Sequence, residues 1–283
     1  MRIGVEQRGD ERGADSLRKY ARECARYGPT VHASEYLVRA ILRASPETLR
    51  GRAKLKVLIS LRRALVGVAD PLLTWRVGGK DLLLPLSHEL PFYRHDHPLY
   101  DRAIGRIAAD AGGPIVDIGA NVGDTAAEMR AHTDAPILCV EPDDRFFTIL
   151  SRNAPQLEPI ELEHACVAGA DGSGKPLAEI LRAHPAFAEP ALVKIDTDGM
   201  DVPIVLANLD LLERVKPVLF FEYDPHFGAT KDVFERLREI GYRTMDVYEN
   251  TGELARCVEL PGDIHDEYAG HGGARYADVC VRP

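Results

Sequence analysis

Apolar side chains recur along this chain with two different periods. Over residues 14–28, 34–44 and 46–66 they follow helical spacing, as in Leu17, Tyr20, Ala21 and Cys24 and again in Leu55, Leu58, Ile59 and Leu65. Three helices are expected there. Ser45-Pro46-Glu47 has the form of a helix start, with Ser45 as the cap and Pro46 at the first helical position. Two short apolar runs, 72–77 and 80–84, flank Gly78-Gly79 and predict a hairpin. The hairpin marks the seam between a helical arm, residues 1–70, and a main domain, residues 71–283. An amphipathic helix over 100–109 leads into the first core strand.

From residue 114 onward the period alternates. Short apolar runs near 114–118, 136–140, 159–164, 191–196, 217–222 and 242–248 read as strands, and the segments near 123–132, 143–153, 176–183, 201–213 and 230–240 read as helices. This rhythm implies a mostly parallel sheet covered on both faces. The last run, Ala277–Arg282, follows without an intervening helix and is expected to pair antiparallel with its predecessor at or near one edge, giving seven strands in a Rossmann-like α/β fold. The Gly- and His-rich segment 261–276 is too polar for the core, and His265 and His271 within it are read as solvent-facing.

Composition narrows the function. A formal net charge of −9 opposes general affinity for nucleic acid or anionic lipid. The basic residues crowd into the first 65 positions, from Arg18 and Lys19 to Arg62 and Arg63, as a solvated helix face or a docking surface, for instance for homo-oligomerisation. Five cysteines without a C-x-x-C pair argue against a disulfide framework and a zinc site. Acidic residues Glu6, Asp10 and Glu11 stand where a secretory signal needs an apolar run, and a cytoplasmic protein without a membrane span is expected.

The chemistry gathers at the ends of the strands. Asp117-Ile118-Gly119-Ala120-Asn121-Val122-Gly123 is a buried strand ending in a small-residue turn that runs into a helix. Gly119 and Gly123 would let the backbone approach a ligand, and Asp117 would accept a hydrogen bond from an ammonium group. A dinucleotide site also uses a glycine turn, but its spacing is G-x-G-x-x-G, and a carboxylate at Asp117 would repel a pyrophosphate. Glu141, about twenty residues beyond the turn, is placed to receive the hydroxyls of a ribose. The third strand ends in His164–Gly169, where Cys166 and Val167 could flank an adenine ring. The fourth delivers Lys194, Asp196 and Asp198 to the carboxyl edge of the sheet, and the fifth delivers Glu222, followed by His226. Asp196 or Asp198 is alternatively a helix cap. His95-Asp96-His97 lacks an obvious third metal ligand and reads better, with Tyr93, as part of a lid.

Together Asp117–Gly123, Val140-Glu141-Pro142, Ala165–Ala168 and Lys194-Ile195-Asp196-Thr197-Asp198-Gly199 resemble the FkbM family of class I methyltransferases, over roughly residues 92–260. The resemblance implies a class I methyltransferase fold, S-adenosylmethionine as cofactor and O-methylation of a sugar or natural-product hydroxyl. It matches Asp117, Gly119 and Glu141 to cofactor-binding positions and Asp196 and Asp198 to the acidic pair after the fourth strand. Asp198 stands where many members carry the longer Glu. Asp196, Asp198, Glu222 and His226 are the candidate bases, with His226 favoured for its near-neutral intrinsic pKa. N-methylation, a non-catalytic adenosylmethionine-binding protein and, last, an NAD-dependent oxidoreductase remain as alternatives.

Overall fold

A computed structural model describes residues 28–169, 172–227, 230–262, 264–269 and 276–283. The helix expected over 14–28 and His271 lie outside the described residues. The chain forms two compact units, one reaching to Trp75 and including Leu83–Pro91, the other made of Arg76–Leu82 and Phe92–Pro283.

In the first unit, α1 (Pro29–Leu42) begins on a proline and buries Val31, Leu37, Val38 and Ile41, a helical stripe. The next helix, α2 (Leu49–Val68), is capped by Thr48, whose hydroxyl accepts the Gly51 N–H at 2.9 Å. Ser45, the expected cap, accepts only from the Glu47 N–H at 3.3 Å and closes a turn ahead of the helix. Arg62 of α2 donates to the carbonyls of Leu86 and Ser87 and to the Glu89 carboxylate, while Asp70 accepts from the Ser87 N–H and hydroxyl. The hairpin forms as expected, from β1 (Leu72–Val77) and β2 (Lys80–Pro85).

In the second unit, α3 (Leu90–Asp96) and α4 (Arg102–Ala111) precede a series of strands and helices: β3 (Ile115–Ile118), α5 (Asp124–Arg130), β4 (Ile137–Val140), α6 (Asp144–Asn153), β5 (Ile160–Glu163), α7 (Leu177–Ala183), β6 (Leu192–Ile195), α8 (Asp201–Ala207), α9 (Leu209–Val215), β7 (Val218–Tyr223), α10 (Asp232–Glu239), β8 (Thr244–Glu249), β9 (Leu254–Glu259), α11 (His265–Ala269) and β10 (Ala277–Arg282). The helix expected over 201–213 is two helices, broken at Asn208, whose side-chain amide donates to the Ile204 carbonyl at 2.8 Å.

The strands form one sheet of eight in the order β5-β4-β3-β6-β7-β10-β8-β9. Strands β3 to β7 run parallel, and β10 is antiparallel to both of its neighbours, β7 and β8. This is the mixed, mostly parallel α/β sheet expected, with two differences. The last strand inserts inside the sheet, and β9, which the polar run Leu254–Glu259 had concealed, is an exposed eighth strand at the edge. An edge strand needs no apolar face, so periodicity gives little sign of it. Order reverses between β3 and β6, which places the usual ligand crevice beyond their carboxyl ends.

The two faces of the sheet differ in kind. Val116, Ile118, Leu138, Val140, Val193, Ile195, Leu219, Phe221, Val279 and Val281 all belong to one apolar cluster, together with Leu181 of α7, Val205 of α8, Leu212 of α9 and Phe234 of α10. The alternate residues face the other way. Among these, Asp117 aligns with Cys139 and Lys194, Lys194 with Phe220, and Phe220 with Cys280. One face is therefore oily, and a charged pair interrupts the other.

At the β5 edge, His184 closes α7 between two carboxylates, with Nδ1 2.6 Å from Glu161 and Nε2 3.1 Å from Glu163, which also pairs with Lys175 at 2.7 Å. Burial pulls the His184 pKa down, but the hydrogen bonds that its ring donates to Glu161 and Glu163 outweigh it and raise the pKa above the ordinary value. A histidine raised on folding contributes stability that is full below its unfolded pKa, about 6.5, and lost as pH rises through the folded value. The wild type is therefore expected to exceed His184→Gln in melting temperature most in mildly acidic buffer, with the gap closing toward alkaline pH. Parallel melting curves across that range would rule out this clamp.

Candidate active site

The buried pair in the polar face is the foundation of the site. Lys194 Nζ lies 3.0 Å from Asp117 Oδ1, 3.4 Å from Asp196 Oδ2 and 3.0 Å from the carbonyl of Gly119, to which it donates. Its side chain is 2% exposed and that of Asp117 is 0% exposed. Burial alone would lower the lysine pKa, but Asp117 and Asp196 reverse this and hold the ammonium charged well above its ordinary range. The second oxygen of Asp117 accepts from the Thr125 hydroxyl at 2.8 Å, fastening α5 to β3. Asp117 was expected to meet the ammonium of a ligand. The ammonium it meets is that of Lys194.

The glycines of the turn also serve the protein's own packing. Gly119 has φ +75°, and a Cβ there would lie 1.8 Å from the Asp196 carbonyl oxygen. Gly123 has φ +88°, and a Cβ there would meet the side chains of Leu157 and Leu150 at 2.9 and 3.0 Å. Both positions need the left-handed backbone that glycine adopts without strain. Gly119 lets the end of β3 lie directly against the end of β6, and Gly123 admits two leucines. Asn121 is left-handed as well, at φ 49°, and its N–H donates to Glu141 Oε2 at 2.7 Å.

Two residues beyond Asp117, Cys139, Lys194 and Phe220, the same face carries Gly119, Glu141, Asp196 and Glu222, while β10, running the other way, adds Asp278 opposite Glu222. Backbone hydrogen bonds continue the ladder to this row, from Gly119 to Val140, Asp196 to Ile118 and Glu141 to Glu163. Four carboxyl side chains from four strands thus line one edge. Glu141 accepts from the N–H groups of Asn121 and Asp143, one on each oxygen, so each oxygen keeps acceptor capacity; burial raises its pKa against those two bonds. Asp196 is the open member, with a side chain 43% exposed. Glu222 is pushed up to about 8, first by burial and then by Asp196, Asp201, Asp198 and Asp224.

The loop after β6 is tied down by Asp201 rather than by Asp196 or Asp198. Asp201 accepts from the Thr197 N–H and hydroxyl and the Gly199 N–H at 3.1 to 3.4 Å. That leaves Asp196 free of the capping role and puts Asp198, exposed and at φ 51°, on the tip of the loop. His226 sits in the turn Pro225–Phe227 with its backbone N–H on Asp224 at 2.7 Å and its ring exposed, outside the row. Of the adenine candidates, Val167 is part of the apolar core and Cys166 is exposed. His164 stacks on Phe147, with ring centroids 4.4 Å apart. His265, expected in solvent, bonds the Tyr223 hydroxyl at 2.8 Å. His95 lies on α3, and His97 follows it, its ring 6.4 Å from that of Tyr93.

Sequence reasoning missed a second group. Asp101, left-handed at φ 58°, is raised to about 8, by burial first, then by Asp124 and Asp196 against the pull of Arg94 and Lys194. Asp278 is pushed well above its ordinary value by burial, then by Asp196, Asp101, Glu222 and Asp201. The Tyr100 and Tyr276 hydroxyls are raised too, by burial first and then by these carboxyls. All four residues keep some exposed surface while being desolvated, as expected of the walls of a cleft. Asp196 acts on every one of them.

No protein-family model matches the sequence, and no curated protein matches it. Solved structures are similar at a distance. The METTL16 MTase domain shares 13% identity at a TM-score of 0.49, with 92% of this chain and 94% of that one covered. The human methyltransferase 10 domain containing protein shares 12% at 0.46, over 80% and 95%. Precorrin-6y C5,15-methyltransferase from Geobacter metallireducens shares 13% at 0.39, over 64% and 85%. Similarity this distant says nothing about chemistry.

Because Lys194 neutralises Asp117 beneath the turn, Lys194→Met is expected to cost about 3–5 kcal/mol by leaving a buried charge unpaired. Asp117→Asn combined with Lys194→Met is expected to recover part of that loss. Denaturant titration of the single and double variants measures both effects. A Lys194→Met midpoint equal to wild type would show that the pair does not hold the turn.

Proposed function

We propose that this chain is an S-adenosylmethionine-dependent methyltransferase of the FkbM type, transferring a methyl group to a hydroxyl of a sugar or natural-product small molecule. The observation that carries this is the row Glu141, Asp196, Glu222 and Asp278 along one face of the carboxyl edge. A donor with an ammonium, a ribose diol and a sulfonium suits the carboxyls of this row, whereas a pyrophosphate would be repelled by its ionised members, Glu141 and Asp196. Residues 71–283 would form the catalytic domain, and the arm, residues 1–70, would serve acceptor access or self-association.

The residues present fit such a donor with one change from the motif-based expectation. Glu141, with spare acceptor capacity on both oxygens, would hold the ribose hydroxyls. Asp196, the half-exposed member, replaces the enclosed Asp117 as partner for the amino group. When bound, the cofactor supplies an electrophilic methyl group.

Glu222 is the preferred base. A hydroxyl is a weak nucleophile until its proton is taken, and a carboxyl raised to about 8 takes protons far better than an ordinary one. It stands in the row itself, while His226 lies outside. Asp101, Asp278, Tyr100 and Tyr276 wall the cleft and would exclude water and orient the acceptor. The same density of carboxyls also favours a cationic acceptor, which keeps an amine substrate as the second reading.

Calorimetry with adenosylmethionine, its demethylated product and NAD tests the donor, and binding of NAD alone would overturn the proposal. Glu141→Ala is expected to weaken adenosylmethionine binding at least tenfold, since each lost hydrogen bond to a charged acceptor is worth about 1.5–3 kcal/mol. Glu222→Gln is expected to slow single-turnover methylation by ~10²–10⁴ while the protein stays folded. The wild-type rate should climb with pH as Glu222, raised to about 8 without ligand, ionises, with a half-point drawn below that value by the positive charge of the donor. Turnover by Glu222→Gln at the wild-type rate would remove Glu222 from the reaction.

A further inference from the structure

Glu222 and Asp278 are direct neighbours across the antiparallel pair β7 and β10. Directly opposed side chains on such strands have Cβ atoms about 4.5–5.5 Å apart, and like charges in that position destabilise the sheet. The flanking pairs, Tyr223 with Ala277 and Phe221 with Val279, are buried in the apolar core on the far side, so the register is fixed and the two carboxyls are held together. The surrounding charges offer no relief. Asp196 and Asp198 reach Glu222 from beyond β6, Asp201 from α8 and Asp224 from its own strand end. Asp101 faces Asp278 from ahead of α4, Tyr276 faces both carboxyls, and Tyr248 of β8 lies opposite Asp278 on its other side.

We propose that Asp278 is a positioning residue for the Glu222 base: it stays protonated, so that the pair carries a single negative charge and Glu222 is the member that ionises. Two carboxyls this close resist ionising together. Asp278 lies between Glu222 and Tyr248 on a strand enclosed by β7 and β8, with Asp101 and Tyr276 also facing it, and burial first holds its proton, while Glu222, raised to about 8, is the member that releases its own. The neutral carboxyl leaves Glu222 usable near neutral pH, since a second charge opposite would hold it protonated. This rests on the methyl-transfer reading of the site, but the state of the pair does not.

Proton counting therefore comes first and needs no activity. A carboxyl whose pKa is raised on folding binds a proton in the folded protein and not in the unfolded one, so stability falls as pH rises from the ordinary carboxyl range toward the folded value. Between about pH 5.5 and 7 the melting temperature of wild type should fall most steeply. Asp278→Asn and Glu222→Gln should each remove about one proton of that slope, and the double variant about two. The pH profile of single-turnover methylation comes second. Asp278→Asn mimics a protonated carboxyl and should keep the wild-type half-point within about 0.5 pH unit, while Asp278→Glu, which restores a carboxyl, should return the steeper stability slope.

Two results overturn the proposal. If Asp278→Asn leaves the stability slope unchanged, Asp278 is ionised in the folded protein. If it lowers the half-point by a unit or more and speeds turnover in mildly acidic buffer, it has removed a real negative charge. Failure to bind adenosylmethionine or to methylate any acceptor would instead defeat the methyl-transfer reading, with the proton count still deciding the state of the pair.

Discussion

A lysine ammonium shut inside a parallel sheet must be matched by carboxylates in its own layer, and the candidate site follows from that requirement. Lys194 has no route to water, so its charge is tolerated only through Asp117, Asp196 and the Gly119 carbonyl. These three partners lie on different segments: the body of β3, the loop after β6 and the glycine turn. One ammonium thus joins both sides of the point where strand order reverses. Gly119 completes the junction, because only a residue without Cβ lets the Asp196 carbonyl approach so closely. The carboxyl ends of these strands thus rest on a rigid floor, supplied by a buried ion pair.

That floor changes the meaning of the motif. Asp117 and the glycines would normally be taken as the part of the turn that touches a ligand. Here they build the turn, and Asn121 and Glu141 lock it to the neighbouring strand through the 2.7 Å hydrogen bond from backbone N–H to carboxylate. Two residues along each strand, the next row on the same face carries Glu141, Asp196 and Glu222. The even spacing of a parallel sheet makes the shift coherent, since moving two positions keeps every side chain on its face. A buried support layer and a row of carboxyls therefore follow one another along the same strands.

Much of this was legible in the sequence. Short apolar runs bounded by Gly, Pro and Asp marked the parallel strands and their ends, and so placed Glu141, Asp196 and Glu222 at the carboxyl edge. What a local pattern does not contain is the partner of a buried charge: nothing near Asp117 announces Lys194, which arrives three strands later. Cap position failed for a related reason, because both Ser45 and Thr48 can bond a backbone N–H and only the start of the regular helix decides between them. Asp278 left a trace in the alternation of Ala277, Val279 and Val281 against Asp278, Cys280 and Arg282. Its significance depends on β10 inserting between β7 and β8 rather than lying at the edge.

The electrostatics of the edge favour a cationic ligand. Asp101, Glu222 and Asp278 are raised first by burial and then by neighbouring carboxyls, Asp196 among them, while Lys194 is committed below and Arg94 is paired with Glu128 at 2.9 Å. A positive centre placed among them at about 4 Å would gain on the order of 4 kcal/mol per unit charge at an effective dielectric of 20, before desolvation is subtracted. The same positive centre would draw down the pKa of Glu222. A sulfonium bound there would do two things at once: pair with the carboxylates of the edge, and convert Glu222 from an acid that holds a proton into a base able to take one.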